Sequence, residues 1–205
     1  MSDNVTTLPR RGQTLLSGAG RTLSSSGQSP EGAEKWFKDV DPSTGALRSN
    51  KMVKCVLVRN TAGTTLYGKQ IAKWKSGYRN KQVDGLSCVD FEECAGVIDD
   101  HLGSAGVPAN DLFWLVVQGP ALVRTSRAAN AENVWSVGQV ATALTAVTSG
   151  ATTAGRPRPF AVTTTVTTIM SVAFNRIGRA MSAKTTAQSG ESATPYVLLD
   201  LNIMT

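Results

Sequence analysis

This sequence is poor in the residues that carry enzyme chemistry. It has a single histidine, His101, and three cysteines, so nucleophilic triads and metal sites have few groups to draw on. His101 follows Asp99 and Asp100, but no further ligand lies at a recognised spacing, and we expect a solvated acidic turn there. We therefore predict that the chain is not an enzyme and has no catalytic residue, metal site, cofactor or small-molecule substrate.

The cysteines and the hydropathy pattern bound the class of protein further. Cys55, Cys88 and Cys94 cannot all pair within one chain and lack the CxxC doublets of zinc sites, so we expect free, mostly buried thiols. No apolar stretch approaches the ~20 residues that cross a bilayer. The polar N-terminus has no apolar segment typical of a signal peptide. These absences predict a soluble chain without a membrane partner.

Charge is sparse but unbalanced. Charged residues make up 18% of the chain, below the roughly 25% of typical soluble domains. The formal net charge of +6 favours an acidic partner, either a nucleic acid or an acidic protein surface. The basic residues are scattered, however, so solubility alone is the simpler explanation of the charge.

The most informative segment is the apolar run from Leu112 to Val117, which resumes at Ala121 after Gln118-Gly119-Pro120. Short runs rich in β-branched and aromatic residues between Gly and Pro are typical of strands, here joined by a tight corner. Proline cannot donate to a sheet ladder, so we place Pro120 at a corner, a bulge or an edge.

Short apolar runs bounded by Gly and Pro recur along the chain, and the apolar residues show no clear 3.6-residue period. The pattern predicts an all-β fold, a β-barrel or β-sandwich body with an extended N-terminal arm and at most short helices. Residues 89–102 and 176–188 are the places where a short helix could form. We expect the four tryptophans to lie in the core. They are Trp36, Trp74, Trp114 and Trp135.

The chain divides into an arm, residues 1–35, and a β-rich domain, residues 36–205. The arm is rich in Gly, Ser, Thr and Arg and cannot bury enough apolar surface to order itself in isolation. It is either a mobile tail or a segment that becomes ordered along a neighbouring subunit, with leucines such as Leu15 and Leu16 as anchors. Arg156-Pro157-Arg158-Pro159 favours a stiff extended linker, with contact to an acidic groove or nucleic acid as the alternative.

Three stretches in order resemble the cement or head-decoration proteins of tailed bacteriophages. The resemblance covers roughly residues 52–203 and rests on strand-and-turn patterns. Its pieces are Val56-Leu57-Val58-Arg59-Asn60 with Gly63, Leu66 and Gly68; residues 109–120 with Val123; and Ile177-Gly178-Arg179-Ala180 followed by Val197-Leu198-Leu199-Asp200-Leu201.

Membership of that family would imply a virion protein, made in the bacterial cytoplasm, that binds the outer surface of an assembled capsid. Its partners would be the major capsid protein and copies of itself, commonly as a homotrimer at local three-fold positions. Such a protein stabilises the shell by bridging neighbouring capsid subunits. The candidate contacts to capsid or subunit are Arg10, Arg11, Leu15, Leu16, Arg21, Arg156 and Arg158.

Two other classes of protein remain open. A tail-tube or minor capsid protein could share the short strands and the extended arm. A basic nucleic-acid-binding module would account for the net charge of +6, but it is the less favoured alternative. The basic residues are scattered, and the stretch Arg156-Pro157-Arg158-Pro159 has only Phe160 beside it for stacking on bases.

Overall fold

The computed structural model describes residues 8–15, 30–86, 94–124, 140–142, 158–159, 176–181 and 196–203. Within these ranges the chain forms ten strands and no helix, which confirms the all-β prediction. The strands are β1 Glu34–Val40, β2 Leu47–Asn60, β3 Ile71–Trp74, β4 Gln82–Gly85, β5 Cys94–Ile98, β6 Leu112–Arg124, β7 Val140–Thr142, β8 Arg158–Pro159, β9 Arg176–Ala180 and β10 Tyr196–Asn202. No helix long and apolar enough to cross a bilayer occurs in the described ranges.

Five of these strands close a ring. The order of pairing is β2–β4–β3–β5–β6, and β6 returns to pair with β2. The β2–β4 pair is parallel, with Arg59 opposite Gln82, and the other four pairs are antiparallel. Closure leaves no free edge within the ring, which removes the unpaired backbone groups that an open sheet would expose.

Within the ring, strands β2 and β6 are buried on both faces, because one face lines the ring and the other is covered from outside. Successive side chains of a strand point to opposite faces, so an unbroken apolar run such as Leu112–Val117 supplies both cores. The inner cluster is Val56, Val58, Leu66, Ala72, Trp74, Val83, Ala95, Ile98, Val107, Phe113, Leu115 and Val117. The outer cluster includes Val53, Cys55, Leu57, Leu112, Trp114, Val116, Ala121, Val123, Leu199 and Leu201.

Strand β6 runs without interruption through the predicted corner, so the prediction of two strands joined there is wrong. Its first half pairs with β2 and its second half with β10, with Pro120 opposite Asp200. Val117 is an extra residue between the pairs Lys54–Gln118 and Cys55–Val116, which makes a bulge. Gly119 follows with φ of 90°, and a Cβ there would collide with the Met52 carbonyl oxygen. The Gly-Pro break therefore marks a change of partner within one strand.

The remaining strands extend the sheet beyond the ring. β10 continues through β9 and β7 to β8, while β1 pairs with β2 as the terminal strand on the other side. The β1–β2 turn is built by Asp41, whose side chain accepts hydrogen bonds from the Ser43 and Thr44 N–H groups at 2.8 and 3.1 Å. Hydrogen bonds from Ser43 and Thr44 lower the pKa of Asp41 to about 2.

Two predictions about the core have mixed outcomes. Cys55 and Cys94 are free and buried as predicted, and burial raises the pKa of the Cys55 thiol. Trp74 and Trp114 lie in the core, but Trp36 is 50% exposed, so its predicted burial is wrong. Cys88 and Trp135 lie outside the described residues.

Candidate interaction surface

Residues 8–15, which we call the strap, lie across the outside of the ring. The Trp114 indole Nε1–H donates to the Pro9 carbonyl oxygen at 2.8 Å, so this buried N–H group has a hydrogen-bond acceptor. Leu15 and Leu112 exchange backbone hydrogen bonds of 2.9 and 3.1 Å, and the side chains of Leu8 and Leu15 pack on the outer cluster. The strap thus covers the outer face of β6.

Arg11 fixes the strap through buried charge. Its Nε lies 3.0 Å from Asp99 Oδ1, and its Nη2 pairs with Asp100 Oδ1. The Gly12 N–H donates to Asp99 Oδ2 at 2.6 Å. The Arg11 side chain is 5% exposed and that of Asp99 1%, so solvent screens this pair far less than a surface pair.

A second arginine joins the same carboxylates to the β1–β2 hairpin. Arg48 Nη1 lies 3.0 Å from Asp100 Oδ2, and Arg48 Nε donates to Asp39 Oδ1 at 2.8 Å. The Leu122 N–H also donates to Asp100 Oδ2, at 3.1 Å. Asp100 therefore connects the strap, the hairpin and β6. We call Arg11, Arg48, Asp39, Asp99 and Asp100 the charge cluster.

The charge cluster holds three carboxylates and two guanidinium groups, which leaves one net negative charge. Burial alone would lower the pKa of Arg11, but the carboxylates of Asp99 and Asp100 raise it above its ordinary value. Burial lowers the pKa of His101, and the positive charge of Arg11 lowers it further. The carboxylates of Asp100 and Asp99 oppose this shift. His101 Nε2 is buried without a hydrogen-bond partner among the described residues, 3.8 Å from Asp100 Oδ1.

The predicted solvated acidic turn is therefore wrong. Asp99 and Asp100 are each 1% exposed, because the strap and the hairpin bring two arginines to them. No group of three or more His, Cys, Asp or Glu side chains within the described ranges is arranged to hold a metal ion. The geometry assigns these carboxylates to holding chain segments together.

A different part of the surface is open and has the composition of a contact site. Trp36 and Met52 are half-exposed on the face of β1 and β2 that lies opposite the outer cluster. They line a cavity of about 390 Å³ that continues across β6 to β10. We call this the outer groove, and its lining is Trp36, Lys51, Met52, Gln118, Gly119, Asp200, Leu201 and Asn202.

The register of β1 and β2 explains why Trp36 is exposed. Trp36 lies opposite Lys54 and shares its face, whereas Phe37 points to the other face and packs edge-on against Trp114, with ring centroids 5.3 Å apart. Lys54 forms the last β2–β6 pair, with Gln118, and Met52 lies beyond it, so the inner cluster does not cover this end of the face. The hairpin thus presents an aromatic side chain to solvent.

The outer groove is flanked by both signs of charge. Lys51 pairs with Asp200 across the groove, and Lys54 Nζ lies 2.9 Å from Glu34 Oε2 on the same face of the sheet. Each pair has one partner that is about half exposed, Lys51 at 51% and Glu34 at 48%, so these ion pairs add little stability. Their charges instead remain able to orient a charged partner over Trp36.

The structure places the predicted contact residues in different surroundings. Arg10 is exposed, whereas the Arg11 side chain is buried in intramolecular ion pairs, and Leu15 contacts Leu112 of the same chain. Arg158 belongs to β8. Leu16, Arg21 and Arg156 lie outside the described residues.

Sequence reasoning missed the outer groove and the arginine partners of the acidic pair. One available signal was the position of Asp99-Asp100 directly after the buried run Val97-Ile98, where unpaired charge is costly. The turn at residues 41–45 was another signal. A hairpin across it places Asp39 near Arg48.

Comparison of the chain with protein-family models and with curated proteins finds no match.

Proposed function

We propose that this chain is a structural protein of a phage virion that binds the outside of an assembled capsid and bridges neighbouring capsid subunits. The observation that carries the proposal is the outer groove, where Trp36 and Met52 are half-exposed between charged residues. Aromatic and methionine side chains are enriched in protein interfaces, and tryptophan is among the commonest hot spots. The resemblance of residues 52–203 to decoration proteins supplies the class of partner.

Such a protein would stabilise a shell by binding one state of it. A ligand that recognises the assembled, expanded lattice and not the free subunit shifts the equilibrium towards the lattice. Many copies add their effects, so each copy needs only a moderate contact area. The outer groove offers an apolar centre for such a contact, and the charges of both signs at its edges would orient a partner of complementary charge pattern.

The intramolecular position of Arg11 changes which residues we propose as contacts. Its guanidinium is occupied by Asp99 and Asp100, so we omit it from the proposed capsid contacts. Arg10 remains a candidate because it is exposed. The strap lies on its own chain, so the hypothesis that the arm binds a neighbouring subunit now concerns the arm residues before and after the strap.

The test is co-sedimentation with expanded, DNA-free heads of the phage that encodes the chain. We expect the wild-type protein to sediment with the heads and Trp36→Ala to lose affinity by at least about tenfold, the effect of a hot-spot residue. Tyr67→Ala is the matched control, because Tyr67 is 47% exposed but does not line the outer groove. A variant lacking residues 1–7 tests the arm while it keeps the strap.

Each result has a defined meaning. No binding of the wild-type protein to heads would reject the proposed function. Binding that Trp36→Ala and Tyr67→Ala weaken equally would reject the outer groove as the contact. The mass of the protein alone and of the protein on heads checks the expected trimer.

A further inference from the structure

Strand β1 ends the sheet on one side, and no strand within the described ranges pairs with its outer edge. The Leu57 N–H of β2 donates to the Ala33 carbonyl oxygen at 2.8 Å, directly before β1 begins. In an antiparallel ladder, the residues that hydrogen-bond a given neighbour alternate along the strand. Every second residue after Ala33 therefore bonds β2, and the residues between them face the open edge. The residues whose N–H and C=O groups face that edge are Glu34, Trp36 and Lys38.

An open edge is a template for another strand, and proteins commonly protect such edges with lysine side chains or a bulge. Strand β1 has both features, since Lys35 and Lys38 are exposed and the ladder to β2 is irregular between Lys38 and Val40. The regular part of the edge is therefore the segment from Glu34 to Lys38. The groups that lie opposite the two lysines decide whether these side chains repel or attract a second strand.

One register brings opposite charges together when β1 pairs antiparallel with β1 of a second copy. If Trp36 lies opposite Trp36 of the second copy, then Glu34 lies opposite Lys38 at both ends of the pairing. Opposite charges in directly opposed positions stabilise a sheet, and like charges destabilise it. A shift by one residue places Lys35 opposite Lys38 and Glu34 opposite Asp39, so like charges meet. A shift in the other direction removes both ion pairs. The sequence of β1 thus selects the register that is centred on Trp36.

Both faces of the paired strands are complementary in this register. On one face, the two copies of Trp36 lie side by side between the two ion pairs, as an aromatic pair. Glu34 pairs with Lys54 of its own chain, and its half-exposed carboxylate leaves room for a second ammonium group. On the other face, Lys35 lies opposite Phe37 of the second copy. Lys35 Nζ already lies 5.2 Å from the Phe37 ring centre within one chain, so the cation has an aromatic neighbour on both strands.

We propose that β1 is a self-complementary edge, which pairs antiparallel with β1 of a second copy about a two-fold axis at Trp36. The backbone hydrogen bonds of the added strand supply affinity, and the side chains select the register. The pairing does not depend on the proposed binding to heads, and a two-fold contact is separate from the three-fold contacts of the expected trimer. The second strand lies beside β1, so the face that carries the outer groove stays open.

Sedimentation equilibrium of the full-length protein without heads measures the association. Two such short segments bury less than the ~1,200 Å² of stable interfaces, so we expect a dissociation constant of about 10–300 μM. Lys38→Glu should weaken the association at least about tenfold, because like charges then meet at both ends of the pairing. Lys38→Glu combined with Glu34→Lys in one chain exchanges the two charges, so the affinity should return to within about threefold of wild type.

The backbone amide signals of the wild-type protein, followed by ¹⁵N–¹H NMR, give a second measurement that needs no variant. The signals of Glu34, Trp36 and Lys38 should shift as the protein concentration rises, because their N–H groups gain acceptors at the edge. The signals of Lys35 and Phe37 should shift less, since the N–H groups of these residues already bond β2.

Arg179→Glu is the matched control, because it makes the same change of net charge at an exposed residue of β9, away from the open edge. Its affinity should stay within about threefold of wild type. A wild-type protein that does not associate at concentrations up to about 1 mM would overturn the proposal. So would a combined variant that stays as weak as Lys38→Glu, a control variant that is equally weak, or concentration-dependent shifts that spare the β1 signals.

Discussion

The two apolar clusters on either side of β2 and β6 are closed in different ways. The inner cluster is enclosed by the ring itself, whose backbone hydrogen bonds satisfy one another from strand to strand. The outer cluster is covered in part by the strap, which is joined to the sheet by Arg11 and the carboxylates of Asp99 and Asp100. One core therefore depends on packing, and the other also depends on buried charge.

This difference predicts which kind of substitution lowers the stability of each side of the sheet. An apolar core loses stability in proportion to the volume removed from it. A buried ion pair contributes little net stability, yet the loss of one partner is costly because it strands the other charge away from water. The inner side should thus respond to changes of size, and the outer side to changes of charge.

Phe113→Ala should have the largest effect on stability. Phe113 is fully buried in the ring, and its truncation should lower the free energy of unfolding by about 3–5 kcal/mol. Phe37→Ala is the matched variant on the outer side. Phe37 is only partly buried, so its truncation should cost less. Urea unfolding measures both variants, and an equal loss would show that the ring interior is not the better packed core.

Arg11→Met should lower the free energy of unfolding by about 3 kcal/mol, because Asp99 and Asp100 would lose a buried counter-charge. The strap should also loosen, so the Trp114 indole N–H should exchange with solvent faster. Hydrogen exchange followed by NMR measures this directly.

Arg10→Met provides the control for that variant, since the neighbouring Arg10 is exposed. It should change stability by less than about 0.5 kcal/mol. If both variants left Trp114 exchange unchanged, the charge cluster would not be what holds the strap.

A smaller effect should appear on acidification. Burial and Arg11 lower the pKa of His101, while Asp99 and Asp100 oppose the shift and Arg48 adds to it. The unfolded chain therefore binds a proton below about pH 6.5 that the folded chain does not bind. Stability should fall as the pH drops below that value, by at most about 1.4 kcal/mol per pH unit.

The comparison of wild type with His101→Gln isolates this effect. Urea unfolding at about pH 7.5, 6.5 and 5.5 stays above the ordinary titration range of carboxylates. The variant should lose less stability than wild type across this interval. Equal losses in the two proteins would exclude His101 as the source of the pH dependence.

Much of the fold could be predicted from local patterns. The alternation and β-branched content of Met52–Val58 and the apolar run at Leu112–Val117 indicated strands, and both belong to strands that form the ring. The turn at residues 41–45 followed from its Asp, Pro and Gly residues. These features depend on neighbours in sequence, so the sequence reveals them directly.

The errors have a common physical cause. Trp36 was assigned to the core because of its size, but its exposure depends on how far β2 extends past the ring. The Asp99-Asp100 turn was assigned to solvent because of its charge, but its burial depends on arginines 88 and 52 residues away in sequence. Gly119-Pro120 was taken as an end of a strand, although it marks an exchange of pairing partners.

The amino-acid sequence by itself determined that this chain forms strands and turns, because the period of apolar residues and the placement of Gly and Pro act over a few residues. Only the tertiary structure decided which charges are buried and which aromatic side chain meets solvent. Those outcomes depend on segments distant in sequence that lie together once the ring has closed.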